Sequence, residues 1–227
     1  MKKILLVIAV NFLFVAAFAQ KISKITLAQD GSLESFYILM DDNVTVNISK
    51  DGNIVAWGVE TYSDRIPDFS RLENYPGRVD YYSSTDNEAF RGKVKYIGRT
   101  AITYYGTYDN EAFRGKIKSI GTSNFEYYSN FDDEAVRGKL KNVGSAAITW
   151  YSSFDNESFR GKLKSVGATS ITYYASFDDK AFKGKVKSID RSSFVYYAST
   201  DKVEYRGLLK TGTPSQTING VKYYVKR

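Results

Sequence analysis

A 23-residue unit recurs from about Tyr81 to Gly207, and it constrains this chain more than any other feature. Its clearest column is a basic residue followed by glycine, at Arg91-Gly92, Arg114-Gly115, Arg137-Gly138, Arg160-Gly161, Lys183-Gly184 and Arg206-Gly207. Paired aromatics keep the same phase, at Tyr81-Tyr82, Tyr104-Tyr105, Tyr127-Tyr128, Trp150-Tyr151, Tyr173-Tyr174 and Tyr196-Tyr197. Two in-phase columns over six units signify a repeat array, in which each unit packs on its neighbours and presents an extended surface rather than a single pocket.

Within one unit, residues 102–108 and 113–120 alternate in character around Asp109, Asn110, Glu111 and Ala112, which predicts a β-hairpin with a four-residue loop. In that register Tyr104 faces Ile117, Gly106 faces Gly115, and Tyr108 faces Phe113. Thr103, Tyr105, Thr107, Arg114, Lys116 and Lys118 then share the opposite face. The next link, around Gly121-Thr122-Ser123, must hold an odd number of residues to keep the apolar columns on one side. Propagation gives a row of small residues at Gly106, Gly115, Ser129, Gly138, Ser152, Gly161, Ala175, Gly184, Ala198 and Gly207. This row is expected to floor a groove. One wall is Phe113, Phe131, Phe154, Phe159, Phe177 and Phe182; the other is Tyr104, Ile117, Tyr127, Leu140, Trp150 and Leu163. The predicted fold class is all-β, an antiparallel meander forming an elongated twisted sheet of 23-residue hairpins with a small N-terminal β region. Each fully buried Phe or Leu is worth about 1.5–3 kcal/mol, so the apolar face has to be covered, by its own twist, by residues 20–60 or by a partner.

The ends are different. Lys2-Lys3, an apolar run from Ile4 to Phe18 and Ala17-Phe18-Ala19 before Gln20 form a secretory signal pattern over residues 1–19. Residues 20–74 form an N-terminal β region, with strand signals at 22–28, 33–40, 44–49 and 54–59. Asp30-Gly31 and Asp51-Gly52 are read as type I′ hairpin turns, and the pattern breaks between Glu60 and Asn74 into an irregular connection or short helix. The array spans 75–212, and 213–227 is a C-terminal capping segment with a strand at 217–225. After signal removal the balance falls from 32 basic against 25 acidic residues to 30 against 25, a net charge of +5. The chain has no cysteine, which excludes disulfides and a lipobox-type anchor, and no histidine, which disfavours hydrolase triads, zinc and haem. No cofactor is expected.

Phe113-Arg114-Gly115, followed six residues after the glycine by Gly121 in a 23-residue hairpin unit, resembles the MORN repeat over residues 75–212. This chain departs from it where Ile-Thr-Tyr-Tyr replaces further glycines. The resemblance implies an elongated β-hairpin sheet and a scaffolding role, with lipid contact a weaker association.

The most specific candidate for chemistry is a tyrosine and lysine ladder. Tyr105 lies opposite Lys116, and the pair recurs as Tyr82 with Lys93, Tyr128 with Lys139, Tyr151 with Lys162 and Tyr174 with Lys185. A second lysine row follows at Lys95, Lys118, Lys141, Lys164 and Lys187. Such a ladder can stack sugar rings on tyrosine while ammonium groups meet carboxylates, sulfates or phosphates; equally, lysine stems can simply lie over the rings and solubilise the face. The acidic turns, such as Asp132-Asp133-Glu134, are read as turn chemistry rather than as calcium or glycosidase sites. The expectation is an exported, non-enzymatic binding protein, in the periplasm or at the cell surface, that contacts an anionic polysaccharide or another envelope component. The alternative is a scaffold that accepts a protein partner or its own copy in the apolar groove. An outer-membrane barrel or an enzyme with a site in residues 20–75 is a third class. Nucleic acid is disfavoured, and no transmembrane helix is expected after signal cleavage.

Overall fold

The computed structural model describes residues 21–62 and 70–226; the expected signal segment and most of the irregular connection lie outside the described residues. It is an all-β fold of two main sheets. The first begins as an antiparallel meander of β1 (Lys21–Leu27), β2 (Leu33–Leu39), β3 (Val44–Ser49), β4 (Ile54–Tyr62) and β5 (Ser70–Glu73). Alternation of apolar and polar residues sets these strands, and the apolar set of Ile25, Leu27, Phe36, Ile38, Val46 and Ile48 is fully buried.

The turns differ from type I′. Only the glycines have positive φ, +82° at Gly31 and +78° at Gly52. The Gly31 N–H donates to the Ala28 carbonyl (2.9 Å), and the Ala28 N–H donates to that of Ser32 (2.8 Å). This is a turn closed by a left-handed glycine, which leaves the aspartate side chain free to cap the loop: Asp30 accepts from the Ser32 N–H at 2.9 Å.

The repeat region is an eleven-stranded antiparallel meander. It runs through β6 (Val79–Tyr81), β7 (Val94–Ile97), β8 (Thr100–Tyr104), β9 (Ile117–Ile120), β10 (Ser123–Tyr127) and β11 (Leu140–Val143), then β12 (Ala146–Trp150), β13 (Leu163–Val166), β14 (Thr169–Tyr173), β15 (Val186–Ile189) and β16 (Ser192–Ser193). A small pair, β17 (Val195–Tyr196) and β18 (Leu209–Thr211), ends it. Tyr104 does pair with Ile117, as expected. The hairpin phase is otherwise corrected. The tight turn is Gly121-Thr122, a two-residue link with φ of +53° at its glycine, and residues 105–116 form a long loop instead of two strand ends and a four-residue turn. Both links are therefore even. The odd residue that a 23-residue period requires is a β-bulge: Thr103 pairs with Ser119 and Tyr104 with Ile117, so Lys118 is skipped. The same skip falls on Lys95, Lys141, Lys164, Lys187 and Lys210.

The C-terminal segment does not cap the array. It forms a hairpin of β19 (Ser215–Ile218) and β20 (Val221–Val225), joined by Asn219-Gly220 with both φ positive (+50° and +78°); β20 lies parallel to β1, and β19 is the edge of the first sheet.

The first sheet covers the apolar face of the array, and one continuous core runs through both. Phe36 meets Trp150 edge-on at 6.4 Å. The two hairpin tips seat among the array's aromatics: a Cβ on Gly52 would lie 2.6 Å from the Tyr127 hydroxyl, and one on Gly31 would lie 2.8 Å from the Gly184 carbonyl oxygen. The groove expected on this face is thus filled by residues of the same chain.

Candidate functional site

The predicted ladder residues are brought into two parallel rows, but their polar atoms are engaged between units. Tyr105 and Lys116 are opposite one another in the backbone, since the Tyr105 N–H donates to the Lys116 carbonyl at 2.9 Å. Their side chains then part company. The Tyr105 hydroxyl donates to the Phe125 carbonyl of the next unit at 2.9 Å, and Tyr128, Tyr151 and Tyr174 reach Ile148, Ile171 and Phe194 in the same way at 3.3, 3.0 and 2.9 Å. Lys116 Nζ donates to the Gly138 carbonyl (2.5 Å) and stands 5.4 Å from the centre of the Tyr127 ring. Lys139 reaches the Gly161 carbonyl, Lys162 that of Gly184 and Lys185 that of Gly207, each over the aromatic ring of the following unit. Burial depresses the ammonium pKa of all four lysines. These residues staple one unit to the next.

The glycine column belongs to the same joint. Gly138 has φ of +69°, and a Cβ there would lie 2.7 Å from the Ala112 carbonyl oxygen and 2.9 Å from Lys116 Nζ. The small row is therefore not a groove floor: Gly115, Gly138, Gly161, Gly184 and Gly207 mark a left-handed turn with a close inter-unit approach, while Gly106, Ser129, Ser152, Ala175 and Ala198 are the residues whose N–H groups the loop aspartates accept from.

The second lysine row is the one left outside. Each member occupies the bulge of its unit and lies over the ring of the second tyrosine: Lys118 over Tyr105 at 5.5 Å, Lys141 over Tyr128 at 5.6 Å, Lys164 over Tyr151 at 5.2 Å and Lys187 over Tyr174 at 5.5 Å. These four are exposed. The cation over each second tyrosine is thus the bulge lysine of its own unit.

The long loops carry two columns of side-chain caps. Asp132 Oδ2 accepts from the Ser129 N–H at 2.6 Å, with Asp109, Asp155 and Asp178 acting likewise on Gly106, Ser152 and Ala175. Asn110, Asp133, Asn156 and Asp179 cap the N–H two residues on and bridge to the neighbouring loop, as where the Ser153 N–H donates to Asp133 at 3.0 Å. Hydrogen bonds lower the carboxyl pKa of Asp132, chiefly from the Ser129 N–H, and of Asp133, chiefly from the Ser153 hydroxyl.

The expected phenylalanine wall splits. Phe113, Phe159 and Phe182 pack against the core, while Phe131, Phe154 and Phe177, with Tyr108, project from the loop tips at 91%, 95%, 86% and 101% exposure. The strand reading missed this row. The signal that finds it is position, because each of the four immediately precedes the capping aspartate.

Among the described residues, no group of three or more acidic side chains is arranged to hold a metal ion, and no helix is long and apolar enough to cross a membrane. A crevice lined by Gln29, Leu208, Leu209, Lys210 and Gly212 has Lys210 as its one titratable lining group. Comparison with protein-family models, with curated proteins and with solved structures finds no match.

Proposed function

We propose that the chain is an exported, non-enzymatic binding protein whose array meets an anionic polymer, an envelope polysaccharide by class, through the bulge lysines Lys118, Lys141, Lys164 and Lys187. The observation that carries this reading is that the residue skipped within each unit's ladder is always lysine laid over a tyrosine ring, and that it is exposed at Lys118, Lys141, Lys164 and Lys187. A bulge re-aims a side chain, and a fixed row of cations offers a polyanion several weak contacts that add by multivalency. In this reading Tyr105, Tyr128, Tyr151 and Tyr174 seat the lysines and join the units, while Lys116, Lys139, Lys162 and Lys185 hold the array together.

A sulfated or uronate polysaccharide is the probe. Replacing the four bulge lysines by glutamine is expected to remove most binding without lowering the melting temperature. Wild-type binding should weaken steeply with ionic strength, because exposed charges are screened over about 8–10 Å near physiological salt. Retention that persists in molar salt, or that survives the fourfold change, would refute the reading.

A further inference from the structure

We infer that the loop edge is a second binding surface, for an uncharged linear polysaccharide, with Tyr108, Phe131, Phe154 and Phe177 as its stacking platforms. Near-complete exposure of four aromatics in one row leaves their apolar ring faces in water; a single exposed ring is ordinary, but here the exposure recurs at the same place in four successive units. The positions one unit before and one unit after hold Thr85 and Thr200, so the row has defined ends.

Three observations select the occupant. The first is spacing. Successive units are two strands apart, which sets the rings about 10 Å from one another. This is too far for one side chain to span two rings, and comparable to the advance of a β-linked disaccharide, whose pyranose C–H faces stack on aromatic rings. The second is rigidity. Each ring stands beside a capping aspartate, and neighbouring loops are tied by Asn110 to Asn130 at 2.5 Å and Asn156 to Ser176 at 3.0 Å, so the spacing is built in before any ligand arrives. The third is charge. From each ring to the glycine of its turn, residues 108–115 hold two acids against Arg114, 131–138 three against Arg137 and 154–161 two against Arg160, while Asp178 and Asp179 balance Lys180 and Lys183; Lys116, Lys139, Lys162 and Lys185, which end these loops, are turned to carbonyls of the next unit. Such an edge carries no surplus of positive charge to draw polyanions, nucleic acid or anionic bilayers, in contrast to the lysine row on the sheet. Isolated rings also lack the contiguous area that a stable contact with a second copy needs.

The test uses the mature chain and a panel of insoluble uncharged polysaccharides (β-1,4-glucan, β-1,3-glucan and β-1,4-linked N-acetylglucosamine), with soluble hexasaccharides and disaccharides of the same linkages. Retention on at least one polymer, indifferent to molar salt, is expected, with the hexasaccharide bound at least tenfold more tightly than the disaccharide. Phe154→Ala should weaken binding several-fold, Phe154→Trp should preserve it, and replacing all four rings by alanine should abolish it with an unchanged melting curve. Absence of retention on every polymer, wild-type affinity in the fourfold variant, or retention on phosphatidylcholine vesicles in place of the polymers would overturn the inference. The bulge-lysine variant is run in parallel and should retain uncharged polymer fully, so the two surfaces succeed or fail separately; its loss of that binding would also overturn the inference.

Discussion

The two sheets reach the same end, a shared apolar core, by opposite means. The N-terminal sheet has strands of four to nine residues with no repeated sequence, held by backbone ladders and by an alternation that irregularities in β1 and β3 interrupt. The array has strands of two to five residues, too short to hold a sheet by ladders alone, and it is joined by side chains reaching backbone carbonyls one unit on. A periodic sequence needs to solve one joint and can then copy it. The covering sheet has to match each place where the copies differ. One such place is the joint between Val136 and Trp150: elsewhere a phenylalanine stacks on the next unit's tyrosine, as Phe113 does on Tyr127 at 6.1 Å, but the unit with the smaller Val136 precedes the larger Trp150. The volumes compensate, and Phe36 of the covering sheet meets that tryptophan.

Alkali should break the array first. Desolvation raises the pKa of Tyr104, Tyr127, Tyr173 and Tyr196 far above 10.0, whereas among the described residues of the covering sheet burial raises that of Tyr223 alone. A raised folded pKa contributes stability that is complete below the unfolded value and is lost as pH rises beyond it. The stapling lysines act in the opposite direction, since their lowered pKa relieves a penalty as pH approaches 10.5. The four deeply buried tyrosines have the larger shifts, so unfolding accompanied by tyrosinate absorbance is expected above about pH 10. A melting temperature unchanged at that pH would mean the rings are hydrated. With no histidine present, side-chain titration should leave stability nearly flat between about pH 5 and 8.

Trp150→Ala should cost about 3–5 kcal/mol in denaturant unfolding. Combined with Phe36→Ala, it should show a coupling of about 0.5–1.5 kcal/mol, and strict additivity would deny the contact between the sheets.

Two glycines separate backbone conformation from close approach. Gly138→Val should lose about 2–4 kcal/mol, because the side chain meets both positive φ and the Ala112 carbonyl. Gly167→Val, at φ of +54° with open space around it, should lose only about 1–2 kcal/mol. Equal losses would remove the close approach from the account.

Tyr151→Phe deletes the hydroxyl bond to Ile171 and should cost about 1 kcal/mol. The smallest effect is expected at the loop edge, where Phe154→Ala should change stability by no more than about 0.5 kcal/mol. A larger loss would make that ring part of the core.

The period, the burial of Tyr104, Tyr127, Trp150 and Tyr173 as the first aromatics of their pairs, the Tyr104 and Ile117 register and the four N-terminal strands were legible because they are local, periodic signals that each residue carries with its neighbours. The hairpin phase was misread. Alternation continues through Tyr105, Gly106 and Thr107 although the ladder has already given way to side-chain caps, and a bulge at lysine has no composition of its own. Asn219-Gly220 carries the hairpin signal that divides the expected strand at 217–225 into β19 and β20.

The amino-acid sequence by itself determined a repeating antiparallel β array with its aromatic columns and an alternating β region ahead of it, since hydrophobic period and turn chemistry act over a few residues. Tertiary structure alone decided what covers the apolar face, that β20 returns to lie beside β1, and which tyrosines, lysines and phenylalanines are spent on joints and which remain outside. Those outcomes depend on contacts between residues far apart in the chain, such as Phe36 with Trp150 and Lys24 with Lys222, whose free energy exists only once both sheets are formed.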